Sequence, residues 1–449
     1  MNILRQQNCR SDLKAALAVG LAAFLTACAH GPPGAGPTGQ SEPTTIVEPP
    51  PPPPKAPESE VDTEIDVLLD ALEQVSEHGL DPEIYGLSQL RTLADDPAAQ
   101  LDAAREAWAL AATHLAHGYL DPETLAPRVA AGADERALLK YIEAEGGPRA
   151  LASALSGLAP QHPPYLALRR ELARQRTAME EDTDPDSEAA RSAMIDKLRV
   201  NLERWRWLPH DLGRRSVLAN IAGFDVTTYE QDTPTTRNNA IFGKTQRQTP
   251  NFSDEIEYIV FNPWWEVPDS IARSDKLPQF RRDPGAISRF GYQILDRQGN
   301  VVDPSGIDWN SVKAAAFPYR IRQAPRPQNA LGQVKIMFPN PYNVYLHDTP
   351  EKNLFESDQR TFSSGCIRVQ NPLDLAEWVL KETPGWDRAQ IDAAVGSDTE
   401  TRVDLAQPVP VRVVYLTAIS NPCGEVSYLD DVYDRDAAVL AALQGSAEK

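Results

Sequence analysis

Apolar residues recur at helical spacing through the first half of the chain and crowd into strand-like runs through the second. In "EIDVLLDALEQVSEHGLDPE", Ile65, Leu68, Leu69, Leu72 and Val75 share one helical face. Gly79 then predicts a C-cap, and Asp81-Pro82 the opening of the next segment. "AWALAATHLAHGYLDPE" uses the same device again, with Gly118 and then Asp121-Pro122, a weak repeat rather than a solenoid. A further helix is expected from Ser187 to Trp205, ended by Pro209 and Gly213. Trp205 and Trp207 are expected to pack at a domain junction, with sugar stacking as the alternative. From Ser216 the period changes. "SVLANIAGFDVTTYE", "EIEYIVFNP", "QVKIMFPNPYNVYLHD" and "PVRVVYLTA" are rich in β-branched and aromatic residues and bounded by Asn, Pro and Gly. One helix, "NPLDLAEWVLKE", is predicted with Asn371 as N-cap and Pro372 at its first position. The pattern divides the chain into a helical domain over 60–205 and a mainly-β domain with a helix or two over 213–440.

Residues 264–330 interrupt the β pattern with "WWEVP", "RRDPG" and "PYRIRQAPRP". From Lys276 to Ala330, nine Lys or Arg stand against four Asp, a local +5 in a chain whose formal charge is −20. We expect an inserted lid that meets an anionic ligand, the alternative being a solvated irregular loop. The overall acidity argues against nucleic acid as a partner and against simple electrostatic docking on anionic lipid. His114 and His117 lie three apart on a predicted helix. No carboxylate or cysteine completes a ligand set at suitable spacing, so they are expected as surface histidines in a C-terminal turn that favour the helix dipole, and no metal site is expected.

The first residues change the picture of where the chain resides. Arg5, Arg10 and Lys14 precede the apolar run "AALAVGLAAFL", which is too short to span a bilayer comfortably. Residues 1–27 are expected to be a signal peptide. The run ends in "LTAC", which resembles a bacterial lipobox, making Cys28 the lipidation candidate; an ordinary signal with an incidental cysteine is the alternative. Ala29, where Asp would mark retention, resembles sorting to the outer membrane. Residues 28–59, with "PPPPPP" over 49–54, are expected to form an extended tether. The expected location is the periplasm, on an outer-membrane lipid anchor. Of four cysteines, Cys366 and Cys423 then remain as thiols. They are not expected to pair, because Cys423 sits in the turn signal "SNPCGE".

"RTFSSGCIRVQ" places Cys366 after Ser363, Ser364 and Gly365. Only a thiolate attacks well, so a reactive cysteine needs a group that takes its proton. His347 ends the strand-like "NVYLHD" nineteen residues earlier. Gly365 permits a tight turn and leaves room for main-chain N–H groups to face an oxyanion. Nucleophile, base and turn suit acyl transfer; a packed thiol beside a solvent-facing histidine accounts for the spacing equally well. Tyr345 and Phe362 are expected to pack the walls.

These residues carry a resemblance. "HDTPEKNLF" and "SSGCIRV" look like the signature of the YkuD-type L,D-transpeptidase catalytic domain, with His347 matching the family's histidine, Cys366 its nucleophile, Ser363 and Gly365 its motif positions and Arg368 its motif arginine. Ser364 stands where a histidine is common. "IEYIVFNPWWEVPDSIA", "VKIMFPNPYNVYLHDTP", "RWRWLP" and the helical region are similar to the large, scaffold-bearing enzymes of Gram-negative bacteria. The resemblance implies an α+β multidomain fold: an all-helical scaffold domain, then a mainly-β catalytic domain with an inserted lid. It implies peptidoglycan stem peptides as partners, no cofactor, and cross-linking through a Cys366 thioester with His347 as base and acid. Gly365, Ser364 and Ser363 would shape the oxyanion site; Arg368, Arg360 and Lys352 are candidates for substrate binding, and Arg368 is an equal candidate for a structural tie. The peptidoglycan-binding module common between the two parts has no room in the short acidic stretch Ala173 to Ser192. Water as acceptor, giving a carboxypeptidase, and a degenerate wall-binding protein remain open alternatives.

Overall fold

The computed structural model describes residues 60–128, 133–146, 148–181 and 184–445. The expected signal peptide, Cys28 and the whole of the expected tether lie outside them. From Glu64 onward the chain packs as one compact unit.

Its first part is helical: α1 (Glu60–Gln74), α2 (Leu87–Thr92), α3 (Pro97–His117), α4 (Ala133–Gly146), α5 (Pro148–Gly157), α6 (Pro163–Glu181) and α7 (Pro185–Arg206). The apolar face read from the sequence is the buried one: Ile65, Leu68, Leu69, Leu72 and Val75 are all in the core. Gly79 caps the following turn with φ +80°, and the Asp81 carboxylate accepts from the Glu83 N–H. At the second copy of the device, Gly118 (φ +91°) lets the chain pass against Trp207 and Glu203; a Cβ there would lie 2.7 Å from Trp207 Cδ1. Within the acidic stretch 173–192, residues 173–181 complete α6 and 185–192 open α7.

His114 departs from expectation. It is fully buried, its Nδ1 hydrogen-bonded with the Tyr85 hydroxyl at 2.9 Å and its Nε2 with the Arg128 carbonyl at 2.7 Å. Burial pulls its pKa down to about 4, so the ring is neutral and adds nothing to the helix dipole. His117 is the surface histidine, 3.1 Å from Glu135.

The second part is built on a nine-stranded sheet in the order β11-β3-β12-β10-β9-β4-β13-β1-β2, with β2 also paired to β3. Its strands are β1 (Arg215–Asn220), β2 (Asp225–Glu230), β3 (Thr233–Gly243), β4 (Phe252–Phe261), β9 (Val334–Met337), β10 (Leu346–His347), β11 (Thr361–Ser363), β12 (Ile367–Val369) and β13 (Thr401–Val414). The β2–β3 pairing closes eight strands on themselves and leaves β11 attached to the end of β3. Phe242, Ile259, Phe261, Ile336, Leu346 and Ile367 fill the core beneath, together with α8 (Pro372–Leu380) and α9 (Arg388–Gly396).

The insertion is a small folded body rather than an irregular loop. β5 (Trp265–Glu266), β6 (Tyr292–Leu295), β7 (Val301–Val302) and β8 (Arg320–Gln323) form an antiparallel sheet over a core of Trp265, Phe280, Tyr292, Trp309 and Ile321. Much of its positive charge is engaged within it. Arg281 donates to the Trp309 and Val312 carbonyls, Arg320 pairs with Glu266, and Arg322 bonds Gln293 and lies over the Trp264 ring.

Helical and β parts share apolar core. Leu198, Leu202 and Trp205 of α7 cluster with Leu218, Val414, Leu416 and Ala418, and with Val439 and Leu443 of α10 (Asp436–Gln444). Asn201 exchanges two hydrogen bonds with Thr417, each 2.8 Å, and Arg204 pairs with Asp436 at 2.5 Å. In this region β14 (Ala418–Ser420) and β15 (Val426–Tyr428) form a hairpin. Cys366 is a free thiol.

A buried ion pair fixes the loops around α7. Arg206 donates to Glu203 Oε2 at 2.6 Å, both side chains being fully buried, and to the His78 carbonyl at 2.7 Å. Glu203 Oε1 accepts from the Leu120 N–H at 2.7 Å and from Trp207 Nε1 at 3.1 Å. Removing one partner strands a charge in the core. Arg206→Met is expected to cost about 3–5 kcal/mol, read from guanidinium denaturation; an unchanged midpoint would show that the pair adds no stability.

Candidate active site

Two short parallel strands position the cysteine and the histidine. β10 and β12 pair with Leu346 opposite Ile367 and His347 opposite Arg368. Strand side chains alternate, and Leu346 and Ile367 are both wholly in the core. His347 and Arg368 therefore project from the other face. So do Tyr345 and Cys366, one step away along each strand, where the Ile367 N–H donates to the Tyr345 carbonyl at 3.0 Å.

The turn before Cys366 is fastened locally. Ser363 Oγ accepts from the Gly365 N–H at 3.1 Å and donates to the Cys366 carbonyl at 2.6 Å. Gly365 adopts φ +122°, a conformation that favours glycine. Its carbonyl accepts from Thr249 Oγ1 at 2.9 Å. The Gly365 N–H is thus occupied by Ser363. Among the described residues, the Cys366 N–H has no partner, so it is the donor of this turn that an oxyanion can take.

The thiol reaches the Asn343 carbonyl at 3.6 Å. Asn343 has φ +54°, in a loop that Asn340 templates by donating to the Phe338 and Val344 carbonyls and accepting from the Tyr342 and Val344 N–H groups. The Tyr345 ring meets the His347 ring edge-on, with centroids 5.6 Å apart. Tyr345, expected only as a wall, therefore meets the imidazole, and it packs against the apolar core of the insertion as well.

His347 is buried, with Nδ1 2.5 Å from the Asp348 carbonyl. A carbonyl only accepts, so Nδ1 carries the proton and Nε2 has the lone pair. Burial, helped by the Arg368 charge, pulls the imidazole down to about 3. Burial pushes the Cys366 thiol up to about 11, against hydrogen bonding from Tyr345 and the pull of Arg368. The site at rest accordingly holds a neutral thiol and a neutral imidazole. Among the described residues, no hydrogen bond joins the sulfur directly to His347.

The charged candidates separate. Arg368 shares the face of Cys366 and pairs with Glu351 at 2.5 Å. Arg360 donates to the Ala240, Ser357 and Phe224 carbonyls and lies over the Phe224 ring, so its guanidinium ties the loop before β11 to the sheet and is not presented to a ligand. Lys352 holds the Asp348 carboxylate at 2.6 Å and the Gln370 carbonyl at 3.2 Å. It supports the residue after His347. Ser364 is exposed and accepts from Arg247 at 2.9 Å. Phe362 is half-buried. Thr249, Arg247, Asn343 and Tyr433, whose hydroxyl bonds the Gly243 carbonyl at 2.5 Å near Thr249, gave no signal beyond the turn pair Thr249-Pro250.

Residues 214–397 match the family described as L,D-transpeptidase catalytic domain (YkuD), and residues 57–172 match the family described as scaffold domain. A curated protein of Haemophilus influenzae, named putative L,D-transpeptidase, is 36% identical over 252 residues, covering 56% of this chain and 50% of that protein. The chain thus aligns with about half the length of that relative. A solved L,D-transpeptidase from Mycobacterium smegmatis aligns over 44% of this chain and 58% of its own at 12% identity, with a TM-score of 0.19. L,D-transpeptidase 1 of Mycobacterium tuberculosis aligns over 45% and 62% at 14% identity, with a TM-score of 0.18. The domain matches agree with the order found in the fold, helices first and then the sheet that bears Cys366 and His347: the chain joins a scaffold domain to a YkuD-type L,D-transpeptidase catalytic domain.

Proposed function

We propose that this protein is a cysteine-dependent peptidoglycan L,D-transpeptidase that forms 3→3 cross-links. The observation that carries the reading is the β10–β12 register, which sets Cys366, Tyr345, His347 and Arg368 on one face within the matched domain. In the first step the Cys366 sulfur attacks the carbonyl of the third residue of a tetrapeptide stem, and its proton passes to His347 Nε2, directly or through the Tyr345 hydroxyl. The oxyanion takes the Cys366 N–H, a donor worth about 3–4 kcal/mol in other enzymes. The amide C–N bond breaks, D-Ala leaves with the proton from the imidazolium, and a thioester remains. In the second step a side-chain amine of another stem attacks the thioester, His347 takes the amine proton, and the thiol is regenerated.

The high thiol and low imidazole values make proton transfer uphill in the free protein. Activation therefore belongs to the bound state, where the substrate brings the reacting groups together. The proposal also sets the folded unit in the periplasm, tethered through Cys28 to the outer membrane; its support is the sequence of residues 1–59.

Cys366→Ala is expected to lower turnover of purified tetrapeptide muropeptides by at least about 10³-fold with an unchanged thermal midpoint. Undiminished turnover would remove the nucleophile. Mass spectrometry of the wild-type products should show cross-linked dimers, and free tripeptide alone would reassign the reaction to hydrolysis. Iodoacetamide should modify Cys366 at a rate that climbs with pH and levels only near the thiol value of about 11. A plateau below pH 8 would mean that the resting site already holds a thiolate.

A further inference from the structure

The insertion touches the nucleophile turn through one side chain whose chemistry the reading above does not use. Arg247, in the turn between β3 and β4, is half-exposed. Its Nη1 donates to Ser364 Oγ at 2.9 Å and to Asp275 Oδ2 at 3.1 Å; its Nη2 donates to Ser274 Oγ at 2.9 Å and to Asp275 Oδ1 at 3.2 Å. Ser364 lies two residues before Cys366, and Ser274 and Asp275 belong to the insertion. The guanidinium therefore grips a carboxylate with both prongs while a third bond points to the turn that carries the sulfur.

Three features make that carboxylate replaceable. The pair is open to water, with 37% and 43% of the two side chains exposed, and such pairs are weak even in good geometry. Asp275 sits in a π-helical turn, Ala272–Lys276, set between a single α turn and the short helix Leu277–Arg282. Such turns are locally irregular and recur at functional sites. The remaining partners of the guanidinium, Ser364 and Ser274, are neutral hydroxyls that can stay bonded when a different carboxylate enters.

We propose that Arg247 binds the terminal carboxylate of the leaving residue of the stem peptide, with Asp275 occupying that place in the free protein. The assignment deepens the proposed acyl transfer and rests on it for the identity of the peptide. A carboxylate here lies one residue beyond the scissile amide, so the site selects a peptide that ends there over one that continues. When the leaving residue departs with its carboxylate, Asp275 returns to the guanidinium and the insertion is latched again to the turn. Arg247 touches substrate in this scheme but not the reacting bond, so its loss falls on KM and on the choice of peptide terminus.

A pair of small alkylating agents tests the assignment without any turnover. Iodoacetate and iodoacetamide differ in the contrast at issue, carboxylate against carboxamide, and both modify an accessible sulfur whether or not the protein cross-links peptidoglycan. The readout is the ratio of their rates at Cys366 in the full chain, followed by peptide mass spectrometry. Asp275→Asn frees Arg247 and should raise the iodoacetate-to-iodoacetamide ratio roughly threefold or more, while Arg247→Gln should lower it by a similar factor. In the double variant the gain from Asp275→Asn should vanish. A gain that persists without Arg247 would be simple loss of a negative charge and would overturn the assignment, as would a ratio that Arg247→Gln leaves unchanged. With peptide substrates, Arg247→Gln should raise KM and erase the preference for a free over an amidated terminus, and Arg247→Lys should restore part of it. An intact preference in Arg247→Gln overturns the assignment, whereas loss of all turnover in Cys366→Ala bears only on the nucleophile.

Discussion

The parallel pairing of two very short strands is the constraint on which the rest of the site depends. A slip of one residue between β10 and β12 would send Cys366 and Arg368 into the apolar core and bring Ile367 out. What forbids the slip is the core itself: Leu346 and Ile367 are both fully buried there, opposite one another. Each strand also has a second neighbour, β9 for β10 and β3 for β12, so the register is held from both sides. Chemistry on the outer face is thus fixed by packing on the inner one.

The surroundings of the sulfur come from distant parts of the chain. Thr249 holds the Gly365 carbonyl, Asn343 offers a carbonyl to the thiol, and Tyr345 packs against the aromatic core of the insertion. The insertion reaches the site through this aromatic contact and through Arg247. Because it has its own sheet and apolar core, it can shift as a body while keeping its internal contacts. Its arginines contribute to that internal structure more than to an open positive surface, which alters the meaning of the local charge excess.

Much of this was legible in the sequence where a local pattern dictates structure. The apolar face of α1, the span of α7, the glycine cap at Gly79 and the start of α8 at Pro372 followed from spacing and residue type, whereas spacing left the pairing of His347 with Cys366 open and the family resemblance favoured it. What escaped depends on partners far along the chain. Nothing near His114 says that Tyr85 and Arg128 enclose it, and a helix-end histidine reads the same buried or exposed. Arg360 and Lys352 carry charge next to the site, yet their hydrogen bonds to carbonyls and to Asp348 are tertiary facts. Tyr345 reads as a wall until the register turns it toward the sulfur, and Arg247 reads as one more exposed cation in a loop.

The core shared by α7 and α10 carries a consequence for how the chain matures. Leu198 and Leu202 await apolar neighbours at 414–418 and 439–443, more than two hundred residues downstream. Closing so large a loop is entropically costly, and contacts at such separation form late. The helical layer therefore stays incomplete on one side until the sheet has been built and the final helix has come back to cover it. A ribosome releasing the protein N-terminus first leaves that apolar flank of α7 uncovered until the last segments emerge, about half of the chain later.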